Sequence, residues 1–246
     1  MIEKEIEVRT PDGVADAVLY HPDGAGPWPG VIHLTDIFGI RAVTRDLSKR
    51  IAAEGFTVLL PNVFYRSGKP PFFPPELKQG DENFMKRVRE LASPLTPEAI
   101  ERDAGAYTDF LAQQGLVGRG GFGVVGYCFT GGVALRMAAT RPEKFASVAS
   151  FHGGRLITDD PASPHLLLPR VKARLYFGHA VEDRSMPKET IEKFESALVA
   201  WGGRYESETY EGARHGWTMS DSAAYNEPEA ERAFAKLRDL FAATLS

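Results

Sequence analysis

The chain has 246 residues, a formal charge of −4, 43% apolar and 25% charged residues, the usage of a globular protein with room for a sizeable core. No basic tail or stripe is present, which argues against a nucleic-acid partner, and no apolar run approaches the roughly 18 residues of a membrane span. The single cysteine excludes an internal disulfide and a multi-cysteine metal site, so the expected location is the reducing cytoplasm.

The charged, alternating start Met1–Glu7 is not expected to act as a signal peptide. Alternation predicts strands over Ile2–Val8 and Val14–Tyr20 around the turn Thr10-Pro11-Asp12-Gly13. Val31–Leu34 reads as a buried strand, Arg41–Glu54 as a helix stopped by Gly55, and Phe56–Leu60 as the next strand. That order predicts parallel pairing with a right-handed crossover. From 62 to 97 the rhythm breaks. Pro70, Pro71, Pro74 and Pro75 with Phe72 and Phe73 predict an irregular excursion, followed by a short charged helix near Asp81–Leu91. Excursions this long are functional lids or disordered; the phenylalanines argue against disorder and favour a pocket wall, the alternative being that they simply pin the loop to the body.

Thr96-Pro97-Glu98 opens a helix to about Gln114, with proline at a tolerated first-turn position. Strands over Phe122–Val125, Phe145–Ser150, Ala173–Phe177 and Tyr205–Tyr210, and helices over Phe129–Thr140, Pro187–Trp201 and Pro228–Thr244, complete the pattern. The alternation has no linker and no internal repeat. It predicts one domain over 1–246 with an α/β fold, a mostly parallel central sheet and helices on both faces.

The chemistry concentrates at Val124-Val125-Gly126-Tyr127-Cys128-Phe129-Thr130-Gly131-Gly132. A strand that feeds a Gly-flanked turn and then a helix presents one side chain at its crest, the nucleophile elbow of an α/β-hydrolase, here bearing a thiol. The Phe129 N–H is then an oxyanion donor, assisted by the helix dipole, which also favours the attacking thiolate. Thr130 stands where a second glycine is usual, and its β-branched side chain is expected to displace the turn slightly.

An acid and a base follow in the order this fold requires. His215, in a glycine-punctuated loop after a strand, is the candidate general base. Asp183 lies just beyond the preceding strand and would hold the imidazole tautomer; Glu182 beside it is the alternative. Upstream, His33-Leu34-Thr35-Asp36-Ile37-Phe38-Gly39-Ile40 links the first parallel strand to its helix. Ile37 is the candidate second oxyanion donor. Asp36 either faces the thiol, where its charge opposes thiolate formation or it holds the thiol by accepting its hydrogen, or caps the helix starting near Arg41. His152 follows the strand after the elbow, where a packing or surface role is expected, with a place at the border of the pocket as the alternative.

Asp36-Ile37-Phe38-Gly39, Pro61-Asn62-Val63-Phe64-Tyr65, Gly126-Tyr127-Cys128-Phe129, Gly178 through Asp183 and His215-Gly216-Trp217 together resemble the dienelactone hydrolase (carboxymethylenebutenolidase) family from Val14 to the last helix. The resemblance implies a Cys128, Asp183, His215 triad that hydrolyses small lactone or carboxylic ester carbonyls with no cofactor. It also implies an acidic residue beside the thiol, a glutamate in the family and Asp36 here. Of two family arginines that bind the substrate carboxylate, one position holds Met219. The other falls in the excursion, with Lys86, Arg87 and Arg89 as candidates. These departures, with Trp217 and the phenylalanines as pocket residues, lean toward a less charged, more apolar acyl compound. A thioesterase or peptidase on the same scaffold, and a non-catalytic binding module derived from it, are the alternatives. Monomer and homodimer are both open.

Overall fold

The computed structural model describes residues 1–74, 76–77 and 80–245; Pro75, one of the excursion prolines, lies outside the described residues. Strands β1 (Ile2–Thr10) and β2 (Gly13–His21) form the expected antiparallel hairpin, with Thr10 opposite Gly13 at its turn. β3 (Gly30–Leu34), α1 (Ala42–Ala53) and β4 (Thr57–Pro61) follow, and β3 pairs with β4 in parallel. After α2 (Glu82–Ala92) and α3 (Pro97–Gln113) come β5 (Phe122–Tyr127), α4 (Thr130–Thr140) and β6 (Phe145–Phe151). β7 (Arg174–Glu182), α5 (Lys188–Trp201), β8 (Tyr205–Arg214) and α6 (Glu227–Thr244) complete the fold.

The eight strands form one sheet in the order β1-β2-β4-β3-β5-β6-β7-β8. β1 and β2 run antiparallel to their neighbours, and the pairs from β4 through β8 are parallel. This mixed, mostly parallel sheet with helices on both faces is the α/β-hydrolase fold.

Every residue of β3, β4 and β5 is buried, which is why these strands read as continuous apolar runs rather than alternating ones. Their side chains nevertheless alternate between two cores. Ile32, Leu34, Phe122 and Val124 join the core under α3, α4 and α5. Val31, Val125 and Tyr127 join the core under α1 and α6. Local signals set the helix starts. Thr96 Oγ1 accepts the Ala99 N–H at 3.2 Å ahead of Pro97, and Asn226 caps α6 through the Glu229 N–H at 3.5 Å.

The excursion over 62–97 is pinned by its aromatics. Phe72 is buried against Phe64, with centroids 5.6 Å apart. Phe73 stacks on Phe84 of α2 at 4.7 Å and meets Phe38 at 5.0 Å. An ion network, Arg66 with Asp103 at 2.8 Å and with Asp12 at 2.6 Å, ties the start of the excursion to α3 and the β1–β2 turn. Among the described residues no helix is long and apolar enough to cross a membrane.

Candidate active site

Four strand ends deliver the site. β3 ends one residue before Thr35-Asp36-Ile37, β5 ends at Tyr127 beside Cys128, β7 ends at Glu182 beside Asp183, and β8 ends at Arg214 beside His215. All four are carboxyl ends, where open α/β sheets collect ligand-facing groups.

Cys128 sits at φ 56°, in the left-handed region, a conformation that costs a side-chain-bearing residue about 1–2 kcal/mol. The surroundings hold it there. The Cys128 N–H donates to Phe151 O at 3.1 Å, and Cys128 O accepts the N–H groups of Gly131 at 3.2 Å and Gly154 at 3.1 Å. Gly126 is obligatory, since a Cβ there would lie 2.2 Å from the Thr130 carbonyl oxygen. Thr130, expected to displace the turn, packs its side chain under it. Its hydroxyl is buried beneath the elbow, accepting the Tyr127 N–H at 2.9 Å and lying 3.0 Å from Tyr127 O and 3.3 Å from Leu34 O. Its extra volume is spent on satisfying backbone groups.

The three side chains named from the sequence meet. His215 Nε2 lies 3.0 Å from Cys128 Sγ, and His215 Nδ1 donates to Asp183 Oδ2 at 2.6 Å. The other oxygen of Asp183 accepts the N–H of Ser185 at 2.7 Å and its hydroxyl at 2.6 Å. Glu182 pairs in the β7–β8 ladder opposite Arg214 and is exposed. Burial favours a neutral Asp183, but the hydrogen bonds from His215 and Ser185 outweigh it and hold the carboxyl below its usual range. Burial likewise disfavours a charged His215, yet Asp183 and Cys128 on its two sides push the imidazole up to about 10.

Ser185 is a partner that sequence reasoning did not place here, and His152 takes the place at the pocket border that was the alternative to a packing or surface role. His152, buried and at φ 41°, turns its ring edge to His215 with centroids 5.1 Å apart, and its Nε2 lies 2.8 Å from Thr218 Oγ1. Burial, and then the charge of His215, pushes it well below the ordinary imidazole range, so it stays neutral. The Asp-x-Ser spacing of 183 and 185 was a legible signal for a carboxylate that bonds the backbone two residues on.

Ile37 and Phe129 both line the cavity above Cys128. Among the described residues neither of their N–H groups has an acceptor, as donors reserved for a substrate oxygen require. Asp36 also lines the cavity, but both of its oxygens are taken by Arg41, at 2.7 and 2.8 Å, and one by the Phe38 N–H at 3.0 Å. It is neither a free charge over the thiol nor a helix cap, because α1 begins six residues further on, behind Arg41. Trp217 is a second correction. It lies outside the cavity wall, fully buried between Tyr210 at 4.9 Å and His152 at 5.1 Å, because the turn closed by its N–H on Arg214 O directs it into the core.

The cavity measures about 730 Å³, ample for a drug-sized ligand. The candidate carboxylate binders of α2 do not serve it. Arg87 donates to Phe72 O at 3.0 Å and to Glu90 at 3.3 Å, and Lys86 and Arg89 lie off the wall, which α2 supplies through Phe84, Met85 and Val88. Met219 is part of the wall. The arginines that do line it are Arg41, Arg136 and the exposed Arg155, which has no ion pair among the described residues. Among the described residues no group of three His, Cys, Asp or Glu side chains could hold a metal ion.

The model of the dienelactone hydrolase family matches residues 15–245. The carboxymethylenebutenolidase of Rhodococcus opacus is 29% identical over 208 residues, 84% of this chain and 77% of that protein. A crystal structure from Klebsiella pneumoniae subsp. pneumoniae superposes with a TM-score of 0.87 at 24% identity over 98% of both chains. A dienelactone hydrolase-like promiscuous phosphotriesterase from metagenomic libraries gives 0.81 at 20% identity over 100% of both chains. The two structural likenesses are of fold.

Proposed function

The chain belongs to the dienelactone hydrolase family, and from that premise we propose that it hydrolyses small lactones or carboxylic esters through Cys128, His215 and Asp183, by way of an acyl-enzyme. The observation that carries the reading is the unbroken contact from Asp183 through His215 to Cys128, at 2.6 and 3.0 Å, with Cys128 held in the left-handed conformation at φ 56°.

His215 Nε2 takes the proton of the Cys128 thiol as the sulfur attacks the carbonyl carbon. A C–S bond forms, and the oxyanion is received by the N–H groups of Ile37 and Phe129. As the tetrahedral species collapses, the C–O bond breaks and His215 gives its Nε2 proton to the departing alkoxide. The neutral imidazole then takes a proton from water, whose oxygen attacks the thioester. The C–S bond breaks, acid is released, and His215 returns the proton to the Cys128 sulfur. Asp183, held by Ser185, keeps the ring in the orientation that presents Nε2 throughout. No step calls for a cofactor.

The test is a panel of lactones and p-nitrophenyl esters assayed against the Cys128→Ala protein. Activity in the parent and its loss in the variant are expected; equal rates in the two would overturn the reading.

A further inference from the structure

We infer that the cavity contains an acyl arm running along α4, and that the substrates of this site are esters of medium-length, apolar acyl groups rather than compact polar lactone acids. The inference rests on the ester-hydrolase reading above and specifies its substrate class.

The arm follows from the spacing of the cavity residues on one helix. Phe129, Gly132, Val133 and Arg136 all line it, at offsets of three, four and seven, which is one face of an α-helix. Seven residues at 1.5 Å each carry that face about 10 Å from the oxyanion residue Phe129. Opposite stand Val88 of α2, Leu95 of the α2–α3 connection and Ile100 of α3, an apolar wall, while Thr158, Asp160 and Ser163 border the cavity near the Arg136 end. Gly132 keeps the floor low, and a Cβ there would already press on Pro164 at 3.1 Å. The only charge along the helix face is Arg136. Its Nη2 donates to Ala162 O at 2.5 Å and its Nη1 lies 3.8 Å from Glu101, so its guanidinium is engaged and closes the far end.

The direction of the ester is fixed by the proton. His215 Nε2 must reach the leaving oxygen, so the alcohol portion lies toward the His215 loop, where Gly216, Met219 and Ser222 line the cavity. With the carbonyl oxygen turned to Ile37 and Phe129, the acyl substituent points the other way, into the α4 arm. Arg41, bound by two carboxylates, offers no spare charge for a substrate anion at the junction, and Arg155, which has no ion pair among the described residues, lies on the wall that follows β6, off the α4 face.

The experiment measures kcat/KM for p-nitrophenyl esters from acetate to dodecanoate with the intact chain, and repeats it with Val88→Trp. Each methylene added within the arm buries about 0.8 kcal/mol of apolar surface, worth roughly fourfold. A rise of at least about 50-fold from acetate to octanoate is expected, followed by a fall once the chain meets Arg136. Val88→Trp should lower the octanoate-to-acetate ratio at least about tenfold, since an indole fills the passage. Hydrolysis of acetate with a flat or declining profile would overturn the arm while leaving the hydrolase reading intact. A rising profile whose ratio ignores Val88→Trp would overturn its assignment to this wall. Absence of hydrolysis at every length would instead overturn the ester-hydrolase reading.

Discussion

Arg41 grips Asp36 through both terminal guanidinium nitrogens and, through Nε at 2.6 Å and Nη2 at 3.1 Å, also binds Asp221. One side chain thus ties the loop that carries Ile37 to the segment that follows His215, 180 residues apart in the chain. Asp36 is nearly buried, whereas Asp221 is about half exposed, so the Asp36 contact is the costly one to break. Arg41→Met should destabilise the protein by about 1–3 kcal/mol and lower kcat/KM roughly tenfold, because a displaced loop misplaces an oxyanion donor. A double-mutant cycle with Asp36→Ala, read by urea unfolding, should return a coupling of about 1 kcal/mol or more. Additive effects would mean that the two residues act separately.

Cys128→Ala should reduce kcat/KM on any productive ester by at least about 10³-fold, an effect of about 4 kcal/mol on the barrier. The fold should survive, because the left-handed conformation is imposed by the backbone bonds of Phe151, Gly131 and Gly154 rather than by the thiol. Cys128→Ser is the softer change: the oxygen nucleophile needs stronger base assistance, so activity falls without vanishing. More than a tenth of the parent activity in the alanine protein would remove Cys128 from the mechanism.

The parallel strands and the elbow were legible because strands covered on both faces have little choice but to be apolar, and because Gly126 and Cys128 mark a turn few other sequences need. β7 and β8 were read too short. Predicted to stop at Phe177 and Tyr210, they continue to Glu182 and Arg214. There Gly178, His179, Glu211 and Gly212 interrupt the apolar signal while the ladder goes on, with His179 opposite Thr209 and Glu182 opposite Arg214. Trp217 was misplaced for a different reason. Two residues from His215 in sequence, it is turned inward by a single hydrogen bond of the following turn. The Arg41–Asp221 tie was beyond reach, since nothing local in either segment names its partner.

The charge state of His215 gives stability a pH signature. Its folded value, about 10, lies above the roughly 6.5 of an unfolded histidine. The protonated ring therefore favours the folded state, fully below about pH 6.5, and that contribution is lost as pH rises through about 10. Asp183 acts in the opposite window. Held below the usual carboxylate range, it contributes above about pH 4 and is lost as pH falls through its lowered value. Urea unfolding of the parent and of His215→Gln should show a stability gap that narrows from pH 6 to pH 10. A gap independent of pH would mean that the ring is not charged in the folded protein.

The last expectation reverses what the elbow pattern suggests. Glycine is usual two residues after the nucleophile, so Thr130→Gly looks like a restoration. In this chain the Thr130 hydroxyl is the acceptor for the buried Tyr127 N–H at 2.9 Å, and the space above it is set by Gly126 and Gly131, where a Cβ would meet Thr130 O at 2.2 Å and Ser150 Oγ at 2.3 Å. Removing the hydroxyl strands a buried donor, costing about 1–3 kcal/mol, and glycine in the first helical turn adds about 0.5–1 kcal/mol. Thr130→Gly should therefore unfold at lower urea and gain nothing in kcat/KM, while Thr130→Ser, which keeps the oxygen, should recover most of the loss. A glycine variant as stable as the parent would show that the elbow does not depend on this bond.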